Sequence, residues 1–202
     1  YITLEMAEER IAERIDANLL DVTMEDLHDM PQQLYEGKIT KLREKTQGQL
    51  VIKEYPTASA HSGHFKSLMN ELALKKSFRP DVIFIDYLNI CASSRFKGGN
   101  ISSYFYVKAI AEELRGLAVE FNVPIFSATQ TTRTGYVSTD IGLEDTSESF
   151  GLPATADFMF ALISNEELEA LGQMKVKQLK NRYNDPSINR AFIIGVDRAK
   201  MR

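Results

Sequence analysis

The chain has 202 residues, 44% of them hydrophobic and 26% charged, the make-up of a folded domain rather than a disordered or collagen-like segment. No run approaches the roughly eighteen apolar residues that a membrane span needs, and a net charge of −4 excludes a uniformly basic nucleic-acid coat. The single cysteine, Cys91, offers no internal disulfide, so the expected compartment is the cytoplasm.

The charge is uneven. Tyr1 to Glu36 carries ten acids and two bases, whereas Lys175 to Arg202 carries eight bases and two acids. This reads either as a solvated face at each end or as a basic edge beside an anionic ligand.

Tyr1 to Leu4 is a strand-like run with no start methionine and no preceding turn, so the chain is expected to be a piece of a longer protein. Ala7 to Leu20 follows with helical spacing of Ile11, Ile15 and Leu19 or Leu20. Leu50 to Ile52 is a short apolar run ended by Tyr55-Pro56. The spacing predicts a helix from His64 to Lys76 that buries Phe65, Leu68, Met69, Leu72 and Leu74. Asp81 and Asp86 bracket four consecutive apolar residues, which suits a strand covered on both faces of a parallel sheet. Ser102 to Asn122 is the clearest helix, with Val107, Ile110, Ala111, Leu114, Leu117, Ala118 and Phe121 on one face.

Val123 to Thr129 is the next strand, Gln130 to Asp145 a long polar loop, and Asp157 to Ile163 another strand. Met174 to Leu179 and Ala191 to Val196 form a final pair joined through the turn residues Asn184-Asp185-Pro186. Strands alternating with helices predict one α/β domain with a mainly parallel sheet, to which the late strands add antiparallel members at one edge.

Ligands of an open parallel sheet bind beyond the carboxyl ends of its strands. Three such ends carry useful groups: Glu5, Asp86 and Gln130. An aspartate there suits a magnesium ion held through water, a neighbouring glutamate can orient or deprotonate a water, and a glutamine can contact a phosphate oxygen. Each alone is an ordinary strand-end residue; the three together point to a nucleotide-phosphate site.

These residues resemble a known family. Ile2 to Met6 is similar to the segment after the second core strand of DnaB-type hexameric replicative helicases. Val82 to Asp86 resembles their Walker B strand, with Asn89 where many members have glutamine. Ser127 to Gln130 resembles the strand presenting their phosphate-sensing glutamine. Ser147 to Gly151, continuing to Asp157, is similar to their second DNA-facing loop and the strand after it, and Lys180-Asn181-Arg182 resembles their basic pair. Within the family the likeness runs to the T-even-like phage members, as in Ala109 to Arg115 and Gly151 to Asp157. The matches span the chain in order.

The resemblance implies a RecA-like ATPase core over residues 1–202, using ATP and Mg²⁺, in an oligomeric ring (a hexamer in this family) that tracks single-stranded DNA 5′ to 3′. Primase and a helicase loader are implied as further partners. Carried over, Glu5 polarises the attacking water, Asp86 holds the magnesium shell and Gln130 reports the γ-phosphate. Lys180 and Arg182 act on a neighbouring subunit's nucleotide, as piston and arginine finger. Arg95, Lys97, Arg133 and Tyr136, with Ser147, Glu148 and Phe150, fall in DNA-facing stretches by the same resemblance. A solvated loop or, for Phe150, the core is the competing reading.

One departure stands out. The family's phosphate loop, G-x-x-x-x-G-K-S/T, is absent, since Lys97-Gly98-Gly99 has neither the order nor the spacing. The 202 residues alone are therefore expected to lack the N-terminal strand and P-loop and to hydrolyse almost no ATP. A RecA-type recombinase and a non-catalytic adaptor of the same fold are the rival readings. His61 and His64 lack the further ligands of a metal site, Cys91 is read as a small hydrophobe, and Glu166, Glu167 and Glu169 as a solvated helix or turn.

Overall fold

The structure, a computed structural model, describes residues 1–96, 101–131, 141–145 and 151–202. Chain order runs β1 (Ile2–Thr3), α1 (Glu8–Leu20), α2 (Met24–His28), α3 (Gln32–Lys45), β2 (Lys53–Glu54), α4 (Ser62–Lys76), β3 (Ile83–Asp86), α5 (Ser103–Phe121) and β4 (Ile125–Ser127). It continues through α6 (Gly151–Thr155), β5 (Phe158–Ile163), α7 (Glu166–Ala170), β6 (Gln173–Asn181) and β7 (Ala191–Gly195).

The first four strands form a parallel sheet in the order β2-β1-β3-β4. The last three form an antiparallel sheet, β5-β6-β7. The expected α/β class, with antiparallel strands late in the chain, is observed. Among the described residues those late strands pair with one another in a separate sheet.

Pleating explains what the parallel sheet buries. Ile83 and Ile85 point to one face and are almost sealed, and Phe84 between them points to the other. On the sealed face, Ile2, Leu4, Ile83 and Ile85 meet Phe65 and Met69 of α4 and Val107, Ile110, Leu114 and Leu117 of α5. Leu152 of α6 joins this core and Met159 of β5 packs against it, which attaches the antiparallel sheet beside α5. Asn122 ends α5 in a left-handed conformation, its N–H donating to Ala118 and Val119 carbonyls, a common helix stop.

Two expectations change. The sequence predicts β3 covered on both faces, but its second face carries a stack of rings. Tyr1 lies 6.3 Å from Phe84 and Phe84 5.3 Å from Phe126, centroid to centroid, with Phe84 42% and Phe126 55% exposed. A short apolar run cannot by itself report whether one face or two is covered. The predicted stripe of α4 also loses a member, since Leu74 is 86% exposed. Nine residues beyond Phe65, at about 3.6 per turn, it falls half a turn away from the buried side.

Candidate functional site

The parallel register brings the three strand ends to one edge. Thr3 pairs with Asp86 and Ile85 with Ser127. Beyond the ladder, Leu4 N–H donates to the Asp86 carbonyl at 2.9 Å and Leu88 N–H to the Ala128 carbonyl at 3.2 Å. Glu5, Asp86 and Gln130 therefore leave adjacent strands in the same direction. Glu5 is exposed, and Gln130 donates from Nε2 to the Tyr87 hydroxyl at 3.1 Å. Thr129 donates to Asn89 Oδ1 at 2.8 Å, which gives the residue that departs from the family pattern a local partner.

Asp86 is half-buried and one of its oxygens is occupied. The Tyr1 hydroxyl donates to Oδ2 at 2.6 Å. Burial first, and then this bond to a carboxylate, push the Tyr1 phenol well above its usual range, so it stays a donor. Among the described residues no three potential ligands gather into a metal cage. A half-buried carboxylate at a strand end fits magnesium, which keeps most of its water shell and binds through one or two carboxylates plus phosphate oxygens.

A second constellation sits at the end of β6. Arg182 N–H closes onto the Asp157 carbonyl at 2.8 Å, so the Arg182 side chain starts beside the Asp157 carboxylate. Arg182 Nε lies 3.1 Å from Asp157 Oδ1 and Arg115 Nη1, from α5, lies 2.8 Å from the same oxygen. Arg182 Nη2 donates to the Ala154 carbonyl at 2.8 Å, and Lys180 Nζ donates to the carbonyls of Pro153 and Ala154. Burial, then the neighbouring Arg182 charge, lower the Lys180 pKa. Three cations thus surround one carboxylate, leaving an excess of positive charge. Neither Lys180 nor Arg182 contacts Glu5, Asp86 or Gln130 among the described residues.

A third group anchors the segment after β3. The Glu113 carboxylate on α5 accepts from Ser93 Oγ at 2.6 Å, Ser94 N–H at 3.0 Å and Ser62 Oγ at 2.9 Å. Burial opposes ionisation, but these donors outweigh it and hold the carboxyl below its ordinary pKa. Arg95, expected at DNA, pairs with Glu112. The other expected DNA contacts, Lys97, Arg133, Tyr136, Ser147, Glu148 and Phe150, lie outside the described residues.

Sequence reasoning missed Tyr1, Tyr87, Arg115, Asp157 and Glu113. The last three had one available signal: a charged residue off the apolar stripe of α5, or just before a strand, facing polar residues elsewhere. The discounted groups stay discounted. His61 and His64 cap α4, with His61 Nδ1 accepting from Gly63 N–H at 3.0 Å and His64 Nδ1 from His61 N–H at 3.2 Å. Cys91 is 2% exposed, and burial, ahead of the nearby Glu113 charge, pushes its thiol up to about 12, leaving it inert.

The DnaB-like helicase C terminal domain family matches residues 1–195. The chain is 48% identical over 205 aligned positions to the DnaB-like replicative helicase of Enterobacteria phage T4, covering 100% of this chain and 43% of that protein. A probable plasmid replicative DNA helicase of Chlamydia trachomatis is 34% identical over 138 residues, covering 66% of this chain and 28% of that one. The chain thus spans less than half the length of these curated relatives. A DnaB-like replicative helicase whose structure is described with its interactions with primase superposes with a TM-score of 0.75, at 16% identity, over 99% of this chain and 48% of that one. A solved ATPase domain superposes at 0.76, also at 16% identity, over 100% of this chain and 72% of that one; at such identity the likeness speaks to the fold. With its strand-end carboxylates and basic pair on that fold, the chain belongs to the DnaB-like helicase C-terminal domain family.

Proposed function

We propose that residues 1–202 are the greater part of one RecA-like motor domain, and that the intact protein is an ATP-driven helicase that unwinds duplex DNA at the replication fork. The observation that carries this reading is the shared register of β1, β3 and β4, which puts Glu5, Asp86 and Gln130 at one sheet edge. The phosphate-cradling loop comes from outside these residues, because the sequence has no such motif.

In this mechanism Glu5 orients the attacking water and takes its proton. Asp86 holds the magnesium shell through its free oxygen. When bound there, the ion would supply neutralisation of phosphate charge. Gln130 contacts the γ-phosphate, and its link to Tyr87 ties that contact to the residue after Asp86. Lys180 and Arg182 reach the neighbouring subunit's nucleotide and neutralise the charge that grows on the transferring phosphoryl group. Hydrolysis then waits on correct placement of two subunits, which requires an oligomer, here read as a hexameric ring.

Single-stranded DNA runs through that ring, 5′ to 3′. Arg95, Lys97, Arg133 and Tyr136, with Ser147, Glu148 and Phe150, line its path; cationic and aromatic groups of this kind track phosphates and stack bases. Primase and a loader are the further partners. No helix among the described residues is long and apolar enough to cross a membrane. The proposed site of action is the cytoplasm, that of the host cell if the protein is phage-encoded.

The test is DNA-stimulated ATPase and fork unwinding by the full-length protein, wild type beside Arg182→Ala. The expected result is strong stimulation by single strands and a loss on the order of 10³-fold in the variant. Mixing that variant with subunits unable to bind nucleotide should restore part of the turnover. Unchanged turnover in Arg182→Ala, or strand exchange without unwinding, would overturn the proposal.

A further inference from the structure

We infer that Asp157, tied down by Arg115, is a positioning residue that aims the Arg182 guanidinium. This rests on the reading that Arg182 acts on a neighbour's nucleotide, and it assigns that reading two residues which do not themselves reach the phosphate.

Arg182 directly follows β6 and its side chain is 37% exposed, so a side chain of this length would otherwise sample many rotamers before meeting its target. Three features restrict it. Asp157 Oδ1, sealed from solvent and without a well-aligned hydrogen bond, lies in ion-pair contact with Nε at 3.1 Å. Nη2 is fixed on the Ala154 carbonyl at 2.8 Å. Because guanidinium is planar, holding Nε and one terminal nitrogen sets the plane of the whole group. Asp157 is itself held: Arg115 Nη1 meets the same Oδ1 at 2.8 Å and also donates to the Thr155 carbonyl at 3.1 Å. The pairing with Asp157 raises the Arg115 pKa, so this clamp stays charged throughout the working range.

The charge count separates positioning from plain structural pairing. One carboxylate balances one cation; Arg115, Lys180 and Arg182 supply three. The excess keeps the cluster attractive to a polyanion while the carboxylate fixes its geometry. Lys180, donating to Pro153 and Ala154 carbonyls, belongs to the same set. All four carbonyls from 153 to 156 face this cluster, so the helix α6 and the basic pair are tied together.

The experiment uses the full-length protein and compares Asp157→Asn, Asp157→Glu and Arg182→Ala. The readouts are kcat and KM of DNA-stimulated ATPase, affinity for a fluorescent ATP analogue, and the mixing assay with subunits unable to bind nucleotide. Asp157→Asn should lower kcat on the order of 10²-fold, as a misplacement near 1 Å does, with KM and analogue affinity within threefold of wild type. In mixtures it should behave as Arg182→Ala does, defective only where it faces a neighbour's nucleotide. Asp157→Glu keeps the carboxylate but displaces it by one methylene, and should fall between. An Asp157→Asn protein with wild-type kcat, beside an inactive Arg182→Ala, would overturn this inference and leave the finger reading intact. A normal Arg182→Ala would overturn the finger reading itself. If Asp157→Asn fails to assemble, Asp157→Glu decides: wild-type turnover in it makes Asp157 merely structural.

Discussion

The two sheets treat their polar ends in opposite ways. At the carboxyl edge of the parallel sheet, Glu5 is exposed and Asp86 has a single side-chain partner among the described residues, Tyr1. At the end of β6, Lys180 and Arg182 are held by a carboxylate and by carbonyls from Pro153 to Ala156. Under the proposed function, the difference follows from what each must meet. Groups that receive a ligand on their own subunit gain from staying solvated until it binds. Long cationic chains that must reach across an interface gain by being ordered in advance, which lowers the entropy lost at the moment of contact. On that reading the first end is completed by its ligand, the second by its own backbone.

The largest effect should come from breaking the open end. Asp86→Asn removes the one anionic donor at the centre of the strand-end set while keeping its shape. DNA-stimulated ATPase of the full-length protein should fall on the order of 10²- to 10³-fold, comparable to removing a preorganised electrostatic group. Thermal stability should stay near wild type, because the side chain keeps an acceptor for Tyr1. A large drop in melting temperature instead would mean that Asp86 serves the fold and that the open end is not poised for a ligand.

A middle effect probes the segment joining the two ends. Glu113 ties Ser93, Ser94 and Ser62 to α5, and α5 also carries Arg115. Its carboxyl sits below the ordinary range, so its contribution to stability is fully present above the unfolded value of about 4.3 and is lost as pH falls through the lower folded value. Denaturant titrations from pH 3 to pH 7 should show this acid limb in the wild type and a flatter one in Glu113→Gln. At neutral pH the substitution should cost about 1 kcal/mol, because of the three donors only Ser93 is buried, Ser62 being half-buried and Ser94 exposed. An unchanged acid limb would assign the limb to other carboxylates.

Much of the fold, and the placement of the candidate residues in it, was legible in the sequence, for reasons that can be named. Strands β1, β3 and β4 and helix α5 have strong apolar patterning, and Asp86 and Gln130 sit where such strands stop. Pairwise facts were not legible. Nothing in local spacing tells that Asp157 faces Arg115, 42 residues earlier, since that contact depends on α6 folding back onto α5. Phe84 was misjudged for the converse reason: its residue type reports hydrophobicity, and only the packing of neighbours reports whether anything covers it. Leu74 failed on phase, where one wrong position in a helical stripe costs a whole face.

The smallest expected effect is also the finest test of how open the open end is. Tyr1→Phe deletes the only side-chain hydrogen bond to Asp86 among the described residues and leaves the ring stacked against Phe84. The ring still packs, so stability should move little. The carboxylate, freed from its 2.6 Å donor, gains rotamer freedom and is less often aimed outward. Half-saturating magnesium for DNA-stimulated ATPase should rise roughly 2- to 5-fold, the size of one modest hydrogen bond, with kcat at saturating magnesium unchanged. Direct titration of magnesium into protein with a fluorescent ATP analogue should show the same shift. If magnesium instead binds more tightly in the variant, Tyr1 is a competitor for the oxygen rather than its guide. The parallel-sheet end would then be partly closed in the resting chain, and its contrast with the basic end one of degree.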